Sequence, residues 1–388
     1  MMNFLKTYDI AITTLSPIHI GCGEDFEPTN YVIDGNRLFT FDPVLLLREL
    51  PSKNQEEFAR LVEGTDPLRA VQSFFYRHKQ GAIKVGRLNA NVAEAVQEFY
   101  DNRIGQVAQR EQGGKNVLNK LEIARTAFNP ISGQPILPGS SIKGAIRTAL
   151  LESLRKRQGF KKSRDMESEI LGGSFSTDPF RFLKISDGTF RRKIQKKGQD
   201  GSLQQVERRP RVCLQVNRKK RPNQYDAKGN VNTLLECIPA NTPMAFLARW
   251  VVEQKRCSFG NMPSLQLDFA TIASACNTFY KERFESESHI LKEHNYAVNW
   301  ATGVGKALGP GGFLQKMMDE GRGFLLRVGR HSGAESVTVD APRSIKIMKG
   351  KGQSPEYAER ATTLWLAADR KDQIDNMQPF GWIFVVRT

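Results

Sequence analysis

The 388-residue chain is 39% hydrophobic and 25% charged, a balance that fits a globular fold with a sizeable core, excludes a disordered chain, and allows about two domains. No run of 18 or more apolar residues occurs, which argues against a membrane-spanning helix. The net charge of +16 points to an acidic partner, with nucleic acid ahead of an anionic membrane surface.

Met1 to Ile12 carries Lys6 and Asp9 and lacks a long apolar stretch, so it reads as a strand and not a signal peptide. Tyr8 to Ile20 alternates, then turns apolar, and predicts a strand ending at Gly21-Cys22-Gly23. Tyr31 to Ile33 and Arg37 to Phe41 flank Asp34-Gly35-Asn36, the pattern of a β-hairpin. Asp42-Pro43 opens a helix, with Asp42 as N-cap. Further helical patterns over Gln55–Val62, Pro67–His78 and Asn91–Asp101 make residues of about 45–125 a helical insertion. Gln106 to Lys120 is polar and glycine-rich and predicts a loop.

Pro138-Gly139-Ser140-Ser141-Ile142-Lys143-Gly144-Ala145-Ile146-Arg147 is the most informative stretch. Ile142, Ala145, Ile146, Ala149, Leu150 and Leu154 recur at helical spacing, so one face is buried. Ser140, Lys143, Gly144 and Arg147 share another face. The helix N-terminus, a Lys, an Arg and an intervening Gly that lets a ligand approach make an anion site, phosphate first. The same residues also fit a serine-capped amphipathic helix with solvated charges. From Lys143 to Arg221 there are 22 Lys and Arg against 8 Asp and Glu, so most of the excess charge follows this motif. It includes Lys161-Lys162-Ser163-Arg164, the basic loop or hairpin tip Arg191–Gly198, and a basic turn over Asn217–Gly229. Phe190 and Tyr225 are the nearest aromatics, which suits phosphate tracking better than base stacking.

Strands are expected over Leu234–Ile238 and Met244–Val252, and a domain boundary falls here, giving 1–233 and 234–388. Leu265 to Phe284 predicts a long amphipathic helix running on to about His294. Trp300 to Gly312 reads as a glycine-rich loop. It fails as a P-loop, because Ala307 follows Lys306, but would offer free N–H groups beside Lys306 to a phosphate backbone. Gly329-Arg330-His331-Ser332-Gly333 is a second glycine-bounded loop, followed by strands at Ser336–Val339, Thr363–Ala367 and Gly381–Arg387.

Metal chemistry finds no support. His289 and His294 are five apart and share no helix face, and Cys22, Cys213, Cys237, Cys257 and Cys276 form no C-x-x-C pair, which also suits a reducing cytoplasm. No cofactor motif stands out. His19 and His331 are the two candidates for a general base in metal-free RNA cleavage, set against a structural role for each.

Five separated stretches carry a resemblance: Leu15-Ser16-Pro17-Ile18-His19-Ile20-Gly21, the P-G-S-S-x-K-G-x-x-R core, the Gly303–Gly312 loop, Arg327-Val328-Gly329-Arg330-His331-Ser332-Gly333, and Pro379-Phe380-Gly381-Trp382. In this order they resemble the RAMP superfamily of CRISPR-associated proteins. Within it, the chain is similar to the family of fifth subunits of the type III-A (Csm) effector complex. The resemblance implies an α+β fold of two RRM-like (ferredoxin-like) domains with helical and basic-loop insertions. It implies a non-catalytic, cytoplasmic ribonucleoprotein subunit that caps the complex at the crRNA 3′ end and supports crRNA maturation and antiviral defence. Its expected partners are the crRNA, the repeated RAMP backbone subunit, the small helical subunit and target RNA, with no membrane. The loop that carries a catalytic Asp in the backbone subunit is not matched by Gly21 to Asp34, so nuclease activity is not carried over. The expected RNA contacts are His19, Gly21, Ser140, Ser141, Lys143 and Arg147, followed by Lys306 and Arg330. The rival reading is a metal-independent endoribonuclease using His19 or His331.

Overall fold

A computed structural model of the chain describes residues 5–110, 116–118, 121–159, 166–171, 178–197, 202–221, 233–253, 267–340, 343–347 and 354–388. Lys161-Lys162-Ser163-Arg164, the hairpin tip at Gly198, residues 222–229 of the basic turn with Tyr225, and the expected helix start at Leu265 lie outside the described residues.

In chain order, the elements that position the site are β1 (Leu5–Thr14), β2 (Gly21–Phe26), β3 (Ile123–Thr126), β4 (Ile136–Leu137), α1 (Gly139–Gln158), β5 (Gly188–Phe190), β6 (Arg211–Lys219), β7 (Thr233–Cys237) and β8 (Thr242–Glu253). They continue with α2 (Phe269–Glu293), α3 (Val298–Leu308), β9 (Gly323–Arg327), β10 (Thr363–Ala368) and β11 (Trp382–Arg387). The fold is a mixture of helices and two large sheets, the α+β class the sequence predicts.

The first sheet has seven strands, ordered β9-β11-β1-β8-β5-β4, with Leu183–Ile185 also on β8. Its centre is the antiparallel pair β1 and β8, in register from Leu5↔Glu253 to Ile12↔Phe246. The C-terminal strand β11 lies on the other edge of β1, from Ile10↔Arg387 to Thr14↔Ile383. Helices α1, α2 and α3 contribute to the core of this sheet, where Trp250, Phe246, Phe269, Phe324, Trp382 and Phe384 are fully buried. The apolar period of α2, Phe269, Ile272, Ala273, Cys276, Phe279 and Tyr280, is the reason a helix of this length sits on it. Asp268 caps it, accepting from the Thr271 N–H at 2.7 Å.

The second sheet has nine strands. Its path runs β2-β3-β7-β6 and on through Arg87–Val92, Arg37–Thr40 and Tyr31–Asp34, with β10 pairing β6. The predicted hairpin is present, with Asp34↔Arg37 closing a two-residue turn in which Gly35 and Asn36 have φ of 56° and 58°. Asp42 caps the next helix, accepting from Val44 N–H at 2.8 Å. The helical insertion differs from expectation: helices cover Pro43–Glu49, Ser52–Val62, Pro67–Arg77, Lys79–Val85 and Glu94–Asp101, but Arg87–Val92 is a strand of the second sheet. Residues 107–110 and 116–118 pair as strands within the segment read as a loop. Both sheets draw strands from each side of residues 233/234, because β7 pairs β6 and β8 pairs β1. No helix among the described residues is long and apolar enough to cross a membrane.

Two further expectations are corrected. Residues 300–308 are not a loop but lie within α3, because Trp300, Ala301, Val304 and Leu308 bury one helical face and outweigh Gly303 and Gly305. Residues 334–337 form a short helix and not a strand.

Candidate nucleic-acid interface

Three of the sequence motifs meet at the end of β1. The Leu15 N–H donates to the Trp382 carbonyl at 2.9 Å, and the Gly381 N–H to the Pro17 carbonyl at 2.9 Å. The Trp382 N–H donates to Ser16 Oγ at 2.8 Å. From the third motif, the Val328 N–H donates to the Gly381 carbonyl at 2.9 Å and the Arg330 N–H to the His19 carbonyl at 2.9 Å. Glycines are required where these backbones touch. Gly329 and Gly381 have φ of +84° and +91°, and a Cβ there would lie 2.5 Å from the His19 oxygen and 2.3 Å from the Val328 oxygen, respectively.

The fourth motif joins through hydrogen bonds. Ala127 N–H donates to the Ile20 carbonyl at 2.7 Å, and Ile136 N–H to the Ala127 carbonyl at 2.8 Å. Two strand spacings, about 10 Å, therefore separate Ile20 from the strand that leads into α1. The start of α1 is built differently from a serine cap. Pro138 is the N-cap residue, and Asp187 accepts the Gly139 N–H at 2.8 Å from outside the helix. Gly139 is needed because a Cβ would lie 2.2 Å from the Ile185 oxygen. Ser140 and Ser141 thus sit in the first turn with their hydroxyls uncommitted to capping, and Ser140 is exposed. Around Gly144 there is open space, with nothing within 4 Å of an added Cβ.

The cations of this face are not equivalent. Arg147 is matched by two carboxylates, Glu167 at 2.7 Å and Asp178 at 2.7 Å, and lies over the Phe180 ring. Lys143 is half-buried and makes no ion pair among the described residues. Burial, followed by the Arg147 and Lys184 charges, pushes its ammonium below the usual lysine range against the pull of Asp178. An anion arriving there would relieve the local excess of positive charge. Arg330 is exposed beside the strand mouth and likewise has no ion pair among the described residues. Lys306 is exposed in the last turn of α3; the free loop N–H groups expected beside it are engaged in the helix.

His19 is fully buried. Its Nδ1 donates to the Glu236 carbonyl at 2.8 Å, leaving Nε2 as a buried acceptor with no partner. Burial lowers its pKa, so the ring is neutral and not a phosphate-binding cation. Gly21 lies next to it, with Nε2 at 3.7 Å from an added Cβ. His331 is held between Trp365 and Phe380, at 5.0 and 5.3 Å, and its Nε2 is hydrogen-bonded to Gln215. Burial, with the Arg330 charge, pushes its pKa down to about 3.

Sequence reasoning missed Glu236, which lies under the junction and accepts the Thr126 N–H at 3.1 Å. Burial pushes its carboxyl up to about 7 despite the nearby Arg125 charge. Unfolded, it would ionise near the usual 4.5, so the stability present below that pH is lost as pH rises to about 7. The urea midpoint of the wild type is therefore expected to fall against that of Glu236→Gln across this window. Parallel pH profiles would contradict the assignment.

The glycine-lined backbone turns, the open helix start and the cations without ion pairs among the described residues are each groups able to meet a phosphate. Residues 11–257 match the family model of the RAMP superfamily, and the chain belongs to that superfamily. It is 29% identical over 161 residues to the CRISPR system Cms protein Csm5 of Mycobacterium tuberculosis (strain CDC 1551 / Oshkosh), covering 40% of this chain and 41% of that protein. To the Csm5 of Streptococcus thermophilus it is 28% identical over 160 residues, with the same shares. The chain thus matches about two fifths of the length of these curated relatives. In fold it is similar to a chain of the cryo-EM structure of a type III-A Csm–crRNA–target RNA ternary complex, with TM-score 0.52, 15% identity, and 99% and 100% of the two chains covered. The crystal structure of T. onnurineus Csm5 gives TM-score 0.51 at 14% identity, covering 97% and 99%. Within the superfamily, the chain is similar to Csm5 proteins of CRISPR systems.

Proposed function

We propose that this chain is the Csm5-type subunit of a type III-A CRISPR effector complex, working in the cytoplasm as a non-catalytic RNA-binding cap. It binds the 3′ region of the crRNA through phosphates, adjoins the repeated RAMP backbone subunit and the small helical subunit, lies near target RNA, and supports crRNA maturation. The two RRM-like halves of this reading centre on α1 and on α2, both packed on the first sheet.

The observation that carries it is a pair of cations, Arg330 at the glycine-lined backbone junction and Lys143 on the first turns of α1, that make no ion pair among the described residues. The absence of cleavage is supported by the state of the two histidines. His19 is sealed in the interior, and His331 is a poor proton acceptor pinned by Gln215 and two rings.

The complex should be assembled with its companion subunits and end-labelled guide RNA, crosslinked, and the bound nucleotides mapped. Crosslinks to the 3′-terminal region are expected, and crosslinks confined to the 5′ end would overturn the capping role. In a parallel incubation with EDTA the RNA should stay intact. Cleavage lost on His331→Ala would establish the nuclease instead.

A further inference from the structure

A cleft of about 1470 Å³, lined in part by His331, lies between α2, the loop after β9, and the strands β6 and β10. Its floor carries an aromatic pair: His331 stacks on Trp365 with centroids 5.0 Å apart and planes at 28°. The other three tryptophans, Trp250, Trp300 and Trp382, are buried, whereas Trp365 is partly exposed and lines the cleft.

The β6–β10 register fixes what stands beside it. Asn217 pairs with Trp365 and Lys219 with Thr363, so Lys219 shares the Trp365 face of the sheet, two residue pairs further along and roughly 7 Å away. Lys219, Arg221 and Arg360 line the cleft, are exposed, and make no ion pair among the described residues. The carboxylates deeper in the wall are spoken for: Glu287 by Arg327 at 2.8 Å, Glu335 by Lys220 at 2.6 Å and Asp340 by Arg283 at 2.5 Å. Glu282 is met by Arg283 at 3.3 Å, and Glu285, Glu293 and Glu359 remain as acceptors for ribose hydroxyls or base amino groups.

A ring face with cations about a sugar's reach away matches a nucleotide, with its base on the aromatic surface and its phosphate on the cations. We propose that this cleft is a second nucleotide site, which stacks one unpaired base on Trp365 and holds its phosphate with Lys219 and Arg221. The proposal does not depend on the role assigned to Lys143 and Arg330.

Tryptophan fluorescence of the full chain should be titrated with UMP and AMP, and separately with short oligouridylate and oligoadenylate. Saturable quenching is expected. If the mononucleotides suffice, the source is free nucleotide; if only the oligonucleotides quench, it is an RNA strand. Trp365→Leu should weaken binding by about tenfold or more, as measured by anisotropy of a labelled oligonucleotide, whereas Trp365→Tyr keeps a stacking face and should retain most of it. Lys219→Glu with Arg221→Glu, both exposed positions that leave the core intact, should lower affinity and flatten its salt dependence. The proposal is overturned if no ligand quenches the wild type, or if the Lys219→Glu/Arg221→Glu protein binds every ligand as the wild type does.

Discussion

Glu287→Ala is expected to destabilise the chain by about 3–5 kcal/mol, the usual cost of leaving one member of a buried ion pair alone. Glu287 on α2 and Arg327 on β9 are only 7% and 5% exposed at their side chains and meet at 2.8 Å. The second Glu287 oxygen accepts the Trp382 indole N–H at 2.7 Å, and Arg327 Nε donates to the Phe380 carbonyl at 2.9 Å. Removing the carboxylate therefore leaves a largely buried guanidinium and a buried indole N–H without the acceptor they share. A typical domain holds only ~5–15 kcal/mol of stability, so the variant should unfold at markedly lower urea. Glu287→Gln keeps an acceptor for Trp382 and should lose less. An Ala variant within 1 kcal/mol of wild type in urea unfolding would show that the network contributes little. The stake is functional as well, because Arg327 and Trp382 belong to the two C-terminal motifs that hold Gly329 and Gly381 against the end of β1.

The elements that follow local periodicity were legible in the sequence. The buried positions of α2 repeat at helical spacing, and the Asp34-Gly35-Asn36 turn announces its hairpin. The motifs were legible too, but their meeting was not, because Leu15 and Trp382 lie at opposite ends of the chain and nothing local encodes their hydrogen bond. Side-chain pairing was invisible for the same reason. Arg147 looks like a free cation until Glu167 and Asp178 are brought to it. The helix at 298–308 was misread because glycine raises the cost of a helix locally, while the compensating burial of Trp300 and Val304 is tertiary. Trp365 gave no sign at all, since its value lies in the His331 ring opposite and in the register that sets Lys219 beside it.

Reversing Lys143 and Arg330, the site cations that make no ion pair among the described residues, should have the largest effect on RNA binding. A charge-assisted hydrogen bond contributes ~1.5–3 kcal/mol, so Lys143→Glu with Arg330→Glu is expected to weaken binding of single-stranded RNA by roughly a hundredfold or more at low salt. The loss should be nearly equal for different sequences, because phosphates carry no base information. It should also lower the slope of log affinity against log salt by about 0.7 for each phosphate contact removed. Arg147→Ala separates this from a general effect of positive charge. Its guanidinium is already matched by Glu167 and Asp178, so it should change thermal stability more than the salt slope. Filter binding of two unrelated RNAs over a salt series measures all three quantities. A double variant that binds as the wild type does, or that loses affinity for only one of the two RNAs, would remove Lys143 and Arg330 from the interface. Equal slopes for wild type and double variant would show that the +16 charge acts diffusely over the surface and not through this junction.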